Sequence, residues 1–205
     1  MIRMVDEPPI LLVAGLGNPG SRYAWTWHNL GFLALDYWAT DKGLTFKPGR
    51  GDYYHLDYHS PHGVITFLKP TSYMNLSGIP ISEMMRYRKL SPENVLIICD
   101  DVALPLGTIR IRKMGSDGGH KGLSSVIAFL NSEYVPRLRL GIYTEGWPGE
   151  LRDYVLSRIP DVQRENVEKL LAICREAVDC ILAEGLEPAM NRFNSNFLKD
   201  DEQQE

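Results

Sequence analysis

His28 and Asp100 are the two side chains in this sequence whose types best suit proton transfer. An imidazole titrates near neutral pH, and an acid at the end of a buried strand needs a partner that an imidazole can supply. His28 lies in Gly15-Leu-Gly-Asn-Pro-Gly-Ser-Arg-Tyr-Ala-Trp-Thr-Trp-His-Asn-Leu-Gly-Phe32, where a glycine turn follows the apolar run 10–14 and delivers polar side chains, Asn18 among them, before a helical pattern. Gly15, Gly17 and Gly20 let the chain turn sharply, with positive φ where the turn needs it. Asp100 closes the apolar run Val95-Leu-Ile-Ile-Cys99 and precedes Asp101. It could cap or turn the chain, or it could hold an imidazole, for which His28 is the candidate partner. Both residues fall at strand ends, the edge where open α/β sheets bind ligands.

Two further loops carry polar groups. In Lys69-Pro-Thr-Ser-Tyr-Met-Asn-Leu-Ser-Gly78, Asn75 and Ser77 read by themselves as turn and cap residues and Met74 as core filler. Gly115-Ser-Asp-Gly-Gly-His-Lys-Gly122 is either a connector or, with amides at a helix start and Lys121 beside nearby arginines, a phosphate-binding loop. Gly15, Gly17 and Gly20 also satisfy the dinucleotide fingerprint, which would make the chain an NAD-binding oxidoreductase. Pro19 removes an amide that the pyrophosphate would need, the helix opens too late, and Asp36 and Asp41 fall in or after that helix rather than at a strand end. His55, His59 and His62 have strand and turn spacing rather than ligand spacing. His28, Asp100, Asp101 and His120 could be assembled into a metal site, but base, orienter and turn residues account for them better. No metal or other cofactor is expected.

The elements that must position these residues alternate between strand and helix. Strands are predicted at 53–58, 64–68, 95–99, 108–112 and 138–143, and helices at 30–38, from about 78 to 88, at 123–130, and along a stripe from Val167 to Leu182 stopped by Gly185. Residues 147–160 read as loop-rich. The expected fold is α/β, one mixed, mostly parallel twisted sheet flanked by helices. With 205 residues and 44% apolar content the chain suits a single domain spanning 1–205, with short flexible termini at about 1–8 and 199–205. Cys99, Cys174 and Cys180 are odd in number and unpaired by spacing, which suits a reducing compartment. No apolar run reaches membrane-spanning length and residues 1–9 lack the apolar core of a secretory signal, so a cytoplasmic location is expected. A net charge of -4 argues against indiscriminate coating of nucleic acid, yet Arg110, Arg112, Lys113, Lys121, Arg137 and Arg139 form a basic cluster in sequence.

Taken together, the blocks Gly15-Leu-Gly-Asn-Pro-Gly20, Tyr23, Thr26 with His28-Asn29, Lys69-Pro-Thr71, Met74-Asn-Leu-Ser-Gly78, Asp100-Asp101, Leu104-Pro105, Gly115 with Gly118-Gly-His120, Arg137-Leu-Arg139 with Gly141, and Asn191-Arg192 resemble the bacterial-type peptidyl-tRNA hydrolase family. The resemblance covers nearly the whole chain. It implies hydrolysis of the ester between a peptide and the 3′ end of tRNA, with His28 as general base and Asp100 as its orienting acid. It further implies that Asn75 contacts the oxyanion or the water, that Asn18 positions substrate, and that Tyr23 and Met74 line the groove. Arg112 and Arg139 become the candidate phosphate clamp, and peptidyl-tRNA the partner of a monomeric enzyme. Trp27, Lys121 and Ala103 depart from the family's usual arginine, asparagine and acid; Lys121 changes a substrate-contacting position. Related plastid chains act as RNA-splicing partners, which leaves a non-catalytic RNA-binding role as the alternative.

Overall fold

Side-chain alternation along two adjacent strands divides the core. In β1 (Leu12–Gly15) and β5 (Val95–Pro105), Val13, Leu96 and Ile98 face one side of the sheet while Leu12, Ala14, Val95, Ile97 and Cys99 face the other. Helices cover both faces, which is why these strands read as unbroken apolar runs. The computed structural model describes residues 8–61, 63–146 and 149–198; the expected flexible termini and His62 lie mostly or wholly outside them.

The remaining strands are β2 (Lys47–Pro48), β3 (Tyr53–Ser60), β4 (Gly63–Pro70), β6 (Ile109–Arg112) and β7 (Arg137–Tyr143). They join one seven-stranded sheet of order β2-β3-β4-β1-β5-β7-β6. Strands β4, β1, β5 and β7 run parallel through its centre, with antiparallel flanks at both edges. The sheet is therefore mixed and parallel where it is most buried, as the sequence predicts.

One face is covered by α1 (Leu30–Asp41), α5 (Arg164–Glu184) and α6 (Leu186–Phe193), the other by α2 (Gly78–Tyr87) and α3 (Lys121–Leu130). The predicted stripe on α5 is buried at Val167, Leu170, Leu171, Cys174, Val178 and Ile181, each large aliphatic group contributing about 1.5–3 kcal/mol of transfer free energy. Trp38 on α1 stacks on Phe67 of β4 with centroids 4.0 Å apart, and its Nε1–H donates to Asp179 of α5 at 2.9 Å. All three cysteines are buried free thiols.

Two segments differ from the sequence reading. Gly185, at φ 97, ends α5 as predicted, but the chain turns there into α6 instead of leaving the helical layer. The stretch read as loop contains α4 (Leu151–Leu156), six residues, too short for a helical period to declare itself. Its flank is tied to the His28 segment. Trp27 N–H donates to Ser157 O at 3.4 Å, Ile159 N–H donates to Trp25 O at 2.9 Å, and Trp27 stacks on Tyr154 at 5.9 Å.

The contact that positions His28 is backbone on backbone. A Cβ at Gly31 would lie 2.4 Å from both Ile98 O and Leu16 N, and one at Gly15 would lie 2.3 Å from Gly31 O. The start of α1 thus rests directly on the C-terminal ends of β1 and β5. Of the three glycines in the turn only Gly20 takes positive φ, at 101°; Gly15 and Gly17 are needed for close approach instead.

Candidate active site

His28 sits in a 3-10 turn (Trp27–Asn29) that leads into α1, and Asp100 lies on β5 just beyond the segment on which that turn rests. Both are buried, and His28 Nδ1 is 3.0 Å from each carboxylate oxygen of Asp100. With Nδ1–H donated to the acid, Nε2 is the ring's remaining polar atom, and His28 lines a cavity of about 620 Å³. A cavity of that size suits a small ligand or the reactive end of a large one.

A second imidazole reaches the same acid. His120 Nε2 is 3.0 Å from Asp100 Oδ1, while its Nδ1 accepts hydrogen bonds from Gly122 N–H and Leu123 N–H, both at 3.1 Å. Two amide donors at Nδ1 require a lone pair there, so the proton of the neutral ring is on Nε2 and points at Asp100. His120 is thereby the N-cap of α3, a place more often filled by serine, threonine or aspartate. Burial pushes the Asp100 carboxyl up, but the two histidines, through their charge when protonated and their hydrogen bonds, outweigh this and hold it well below the usual carboxylate range. The carboxylate is therefore ionised throughout the neutral range. Its stabilising contribution is present above the ordinary carboxylate range and is lost only as strong acid protonates it.

His28, Asp100 and His120 present Nδ1, a carboxylate oxygen and Nε2 within 4.8 Å of one another, a grouping that could hold a metal ion. In the arrangement observed those two nitrogens are hydrogen-bond donors to the carboxylate.

Asn18 is fixed on three sides. Its backbone N–H donates to Asn29 Oδ1 at 2.9 Å, its carbonyl accepts from Asn29 Nδ2 at 3.0 Å, and its Oδ1 accepts from Met74 N–H at 3.0 Å. Its Nδ2 is the group left for a ligand. Met74 is buried, its sulfur against Gly122, where a Cβ would lie 2.4 Å away. Asn75 is exposed in the turn Met74–Leu76, and Tyr23 is half-buried at the end of the turn Ser21–Tyr23. Asn18, Tyr23, His28, Met74, Asn75, Asp100, Lys121 and Arg139 all line the one cavity.

The basic cluster divides. Arg137 is buried and structural, donating to the carbonyls of Val135, Gly115, Ser116 and Glu133 at 2.7 to 3.2 Å, and so holds the glycine loop to β7. Lys113 pairs with Glu187 at 2.6 Å. Arg139 lines the cavity and pairs with Asp101 at 2.7 Å. Arg112 does not line it: it lies on edge strand β6 opposite Arg137, diagonal to Arg139 on the same sheet face. The dinucleotide reading fails on geometry, because the glycine turn runs into Ser21–Tyr23 and α1 opens only at Leu30. The first turn of α1 packs on Gly15 and Gly17 through Gly31 and Phe32, but the helix does not open within the glycines as the fingerprint requires.

Sequence reasoning groups His120 with Asp100 only in the metal-site alternative and otherwise places it in a turn; it quotes Asn29 beside His28 but gives it no role in holding Asn18. Neither carries a compositional signal.

The family profile described as peptidyl-tRNA hydrolase matches residues 12–203. The chain is 43% identical over 183 residues to the peptidyl-tRNA hydrolase of Chlorobaculum tepidum, covering 89% of this chain and 97% of that one. It is 41% identical to that of Clostridium acetobutylicum, covering 90% and 98%. Among solved structures, the peptidyl-tRNA hydrolase of Acinetobacter baumannii superposes with a TM-score of 0.84 at 29% identity, over 91% of this chain and 95% of that one.

Proposed function

The chain belongs to the peptidyl-tRNA hydrolase family, and from that premise we propose that it hydrolyses the ester between a peptide and the 3′ end of tRNA, with His28 as general base. The observation that carries the mechanism is His28 Nδ1 at 3.0 Å from both oxygens of a buried Asp100, with the ring on the cavity wall. A water hydrogen-bonded to Nε2 attacks the ester carbonyl as His28 takes its proton. Asp100 stabilises the imidazolium, and His120, donating to the same carboxylate, holds the acid in place. The carbonyl oxygen, now negative, receives an N–H from Asn75 or from the free Nδ2 of Asn18. On collapse the C–O bond to the ribose breaks and the 3′ oxygen takes the proton from His28. The products are a tRNA with a free hydroxyl and a peptide carboxylic acid, which ionises and releases its proton to solvent. An alkoxide leaves more readily than an amine, so this chemistry requires neither a metal nor a covalent intermediate.

Tyr23 and Met74 line the groove beside the ester in this reading, and Arg112 and Arg139, diagonal to one another across β6 and β7, contact tRNA phosphates. The enzyme proposed is a monomer. Among the described residues no helix is long and apolar enough to cross a membrane; the location proposed, from the substrate, is the cytoplasm. Release of peptide from purified peptidyl-tRNA tests the assignment: binding of tRNA without release would make the chain an RNA-binding relative instead. Activity should be unaffected by EDTA. Loss of turnover on chelation, restored by zinc or manganese, would convert the His28, Asp100 and His120 cluster into a metal site.

Lys121 contributes phosphate binding rather than chemistry. It is exposed at the first turn of α3, where the helix dipole disfavours a cation by about 0.3–1 kcal/mol, and an anion beside it removes that penalty. Lys121→Asn should raise KM and leave kcat close to the parent value. The log-log salt slope of binding should fall by about 0.7 to 0.9. A large drop in kcat at saturating substrate would move Lys121 into the transition state.

A further inference from the structure

The cavity has unlike ends. Towards α4 its wall is mostly apolar, Val102, Leu151, Val155 and Leu156, with Arg152 its one cation. Towards α3 it opens past Asn75, Gly119 and Lys121 into a second groove of about 380 Å³ that ends at Phe129. An ester of peptide and nucleotide has the same asymmetry. We propose that the α3 groove binds the single-stranded 3′-terminal nucleotides of tRNA, with the Phe129 ring as a stacking platform; the proposal rests on the function given above.

Phe129 is 49% exposed, yet it is not loose. A Cβ at Gly78 would lie 2.9 Å from its Cδ2, so one edge of the ring is seated over the backbone of α2. Ser125 Oγ, one helical turn earlier, accepts from Gly78 N–H at 3.0 Å and fixes the same junction. An aromatic face held in this way loses little freedom when a base stacks on it. Every base has a π face, so the contact needs no sequence readout.

Lys121 and Phe129 are eight residues apart on one helix, about 12 Å at the helical rise. They place a cation near the ester and an aromatic ring at the far end of the same groove, the pairing that single-stranded nucleic acid uses. Lys121 has no carboxylate partner among the described residues. The one acid in the groove, Asp117, is turned onto its own loop, accepting from Gly119 N–H at 2.8 Å.

The test is the affinity of deacylated tRNA, intact or lacking its 3′-terminal CCA, for the parent protein, Phe129→Ala and Phe129→Trp. Phe129→Ala should bind intact tRNA about fivefold or more weakly. It should bind the truncated tRNA as the parent does, and Phe129→Trp should restore the loss. Equal losses on both RNAs, or no loss on either, would overturn the assignment. A loss seen only with peptidyl-tRNA, and not with deacylated tRNA, would give the groove to the peptide and overturn it as well. Because these affinities are read without turnover, a parent protein that releases no peptide would count against the hydrolase function and not against the stacking site.

Discussion

Replacing His28 with alanine should lower peptidyl-tRNA hydrolysis by about 10²- to 10⁴-fold, the usual worth of one positioned general base, while tRNA affinity stays near the parent value; the melting temperature should fall, because the buried Asp100 loses one of its two imidazole partners. The ring contributes proton transfer in the transition state and little ground-state binding, so the loss should fall on kcat and kcat/KM together. Asp100→Asn keeps the base and the shape of the site, and should fall less far. The amide retains one oxygen to accept from an imidazole but presents N–H groups where the carboxylate accepted the other. Single-turnover rates with enzyme in excess, beside tRNA binding measured separately, would resolve the two effects. Near-parental turnover in His28→Ala would end the mechanism proposed here.

Gly31→Ala should be strongly damaging although it adds one methyl outside the catalytic pair. The added methyl would lie 2.4 Å from Ile98 O and 2.5 Å from Leu16 O, both backbone atoms of the sheet edge that cannot rotate away. Overpacking of this kind costs about 1–3 kcal/mol when the surroundings can adjust, and these cannot readily do so. The melting temperature should fall by about 2–4 °C for each kcal/mol. Turnover should fall more than stability alone explains, because the strain is relieved by lifting α1, and His28 moves with its start. An unchanged melting temperature would show that α1 is not seated on the sheet as described.

The juxtaposition of His28 with Asp100 is legible in the sequence because both follow from one rule: polar residues after buried parallel strands gather at the same sheet edge. The glycine turn identifies one strand end and Val95-Leu-Ile-Ile-Cys99 the other. The contact to His120 is not legible. Its side chain caps a helix through a ring nitrogen and meets Asp100 across twenty positions, and neither local composition nor period encodes that. The arginines show a different limit. Arg137 and Arg139 share a strand face at two-residue spacing, yet one is buried as a bracket for the glycine loop and the other opens on the cavity. Which is which depends on what lies above that face, and a strand pattern contains no such information. The periodic stripe of α5 is plain over 21 residues, whereas α4, at six, is hidden by its length.

The parallel arrangement of the central strands governs when this chain can become active. His28 meets Asp100 across 72 positions, Asn18 meets Met74 across 56, and Asp100 meets His120 across 20. The first two cannot be made by a hairpin or a single helix; each needs a crossover to close first, and long closures are paid in chain entropy before they are repaid. During refolding the helices can therefore form while the site is still in pieces, and recovered turnover reports the last docking events rather than the first.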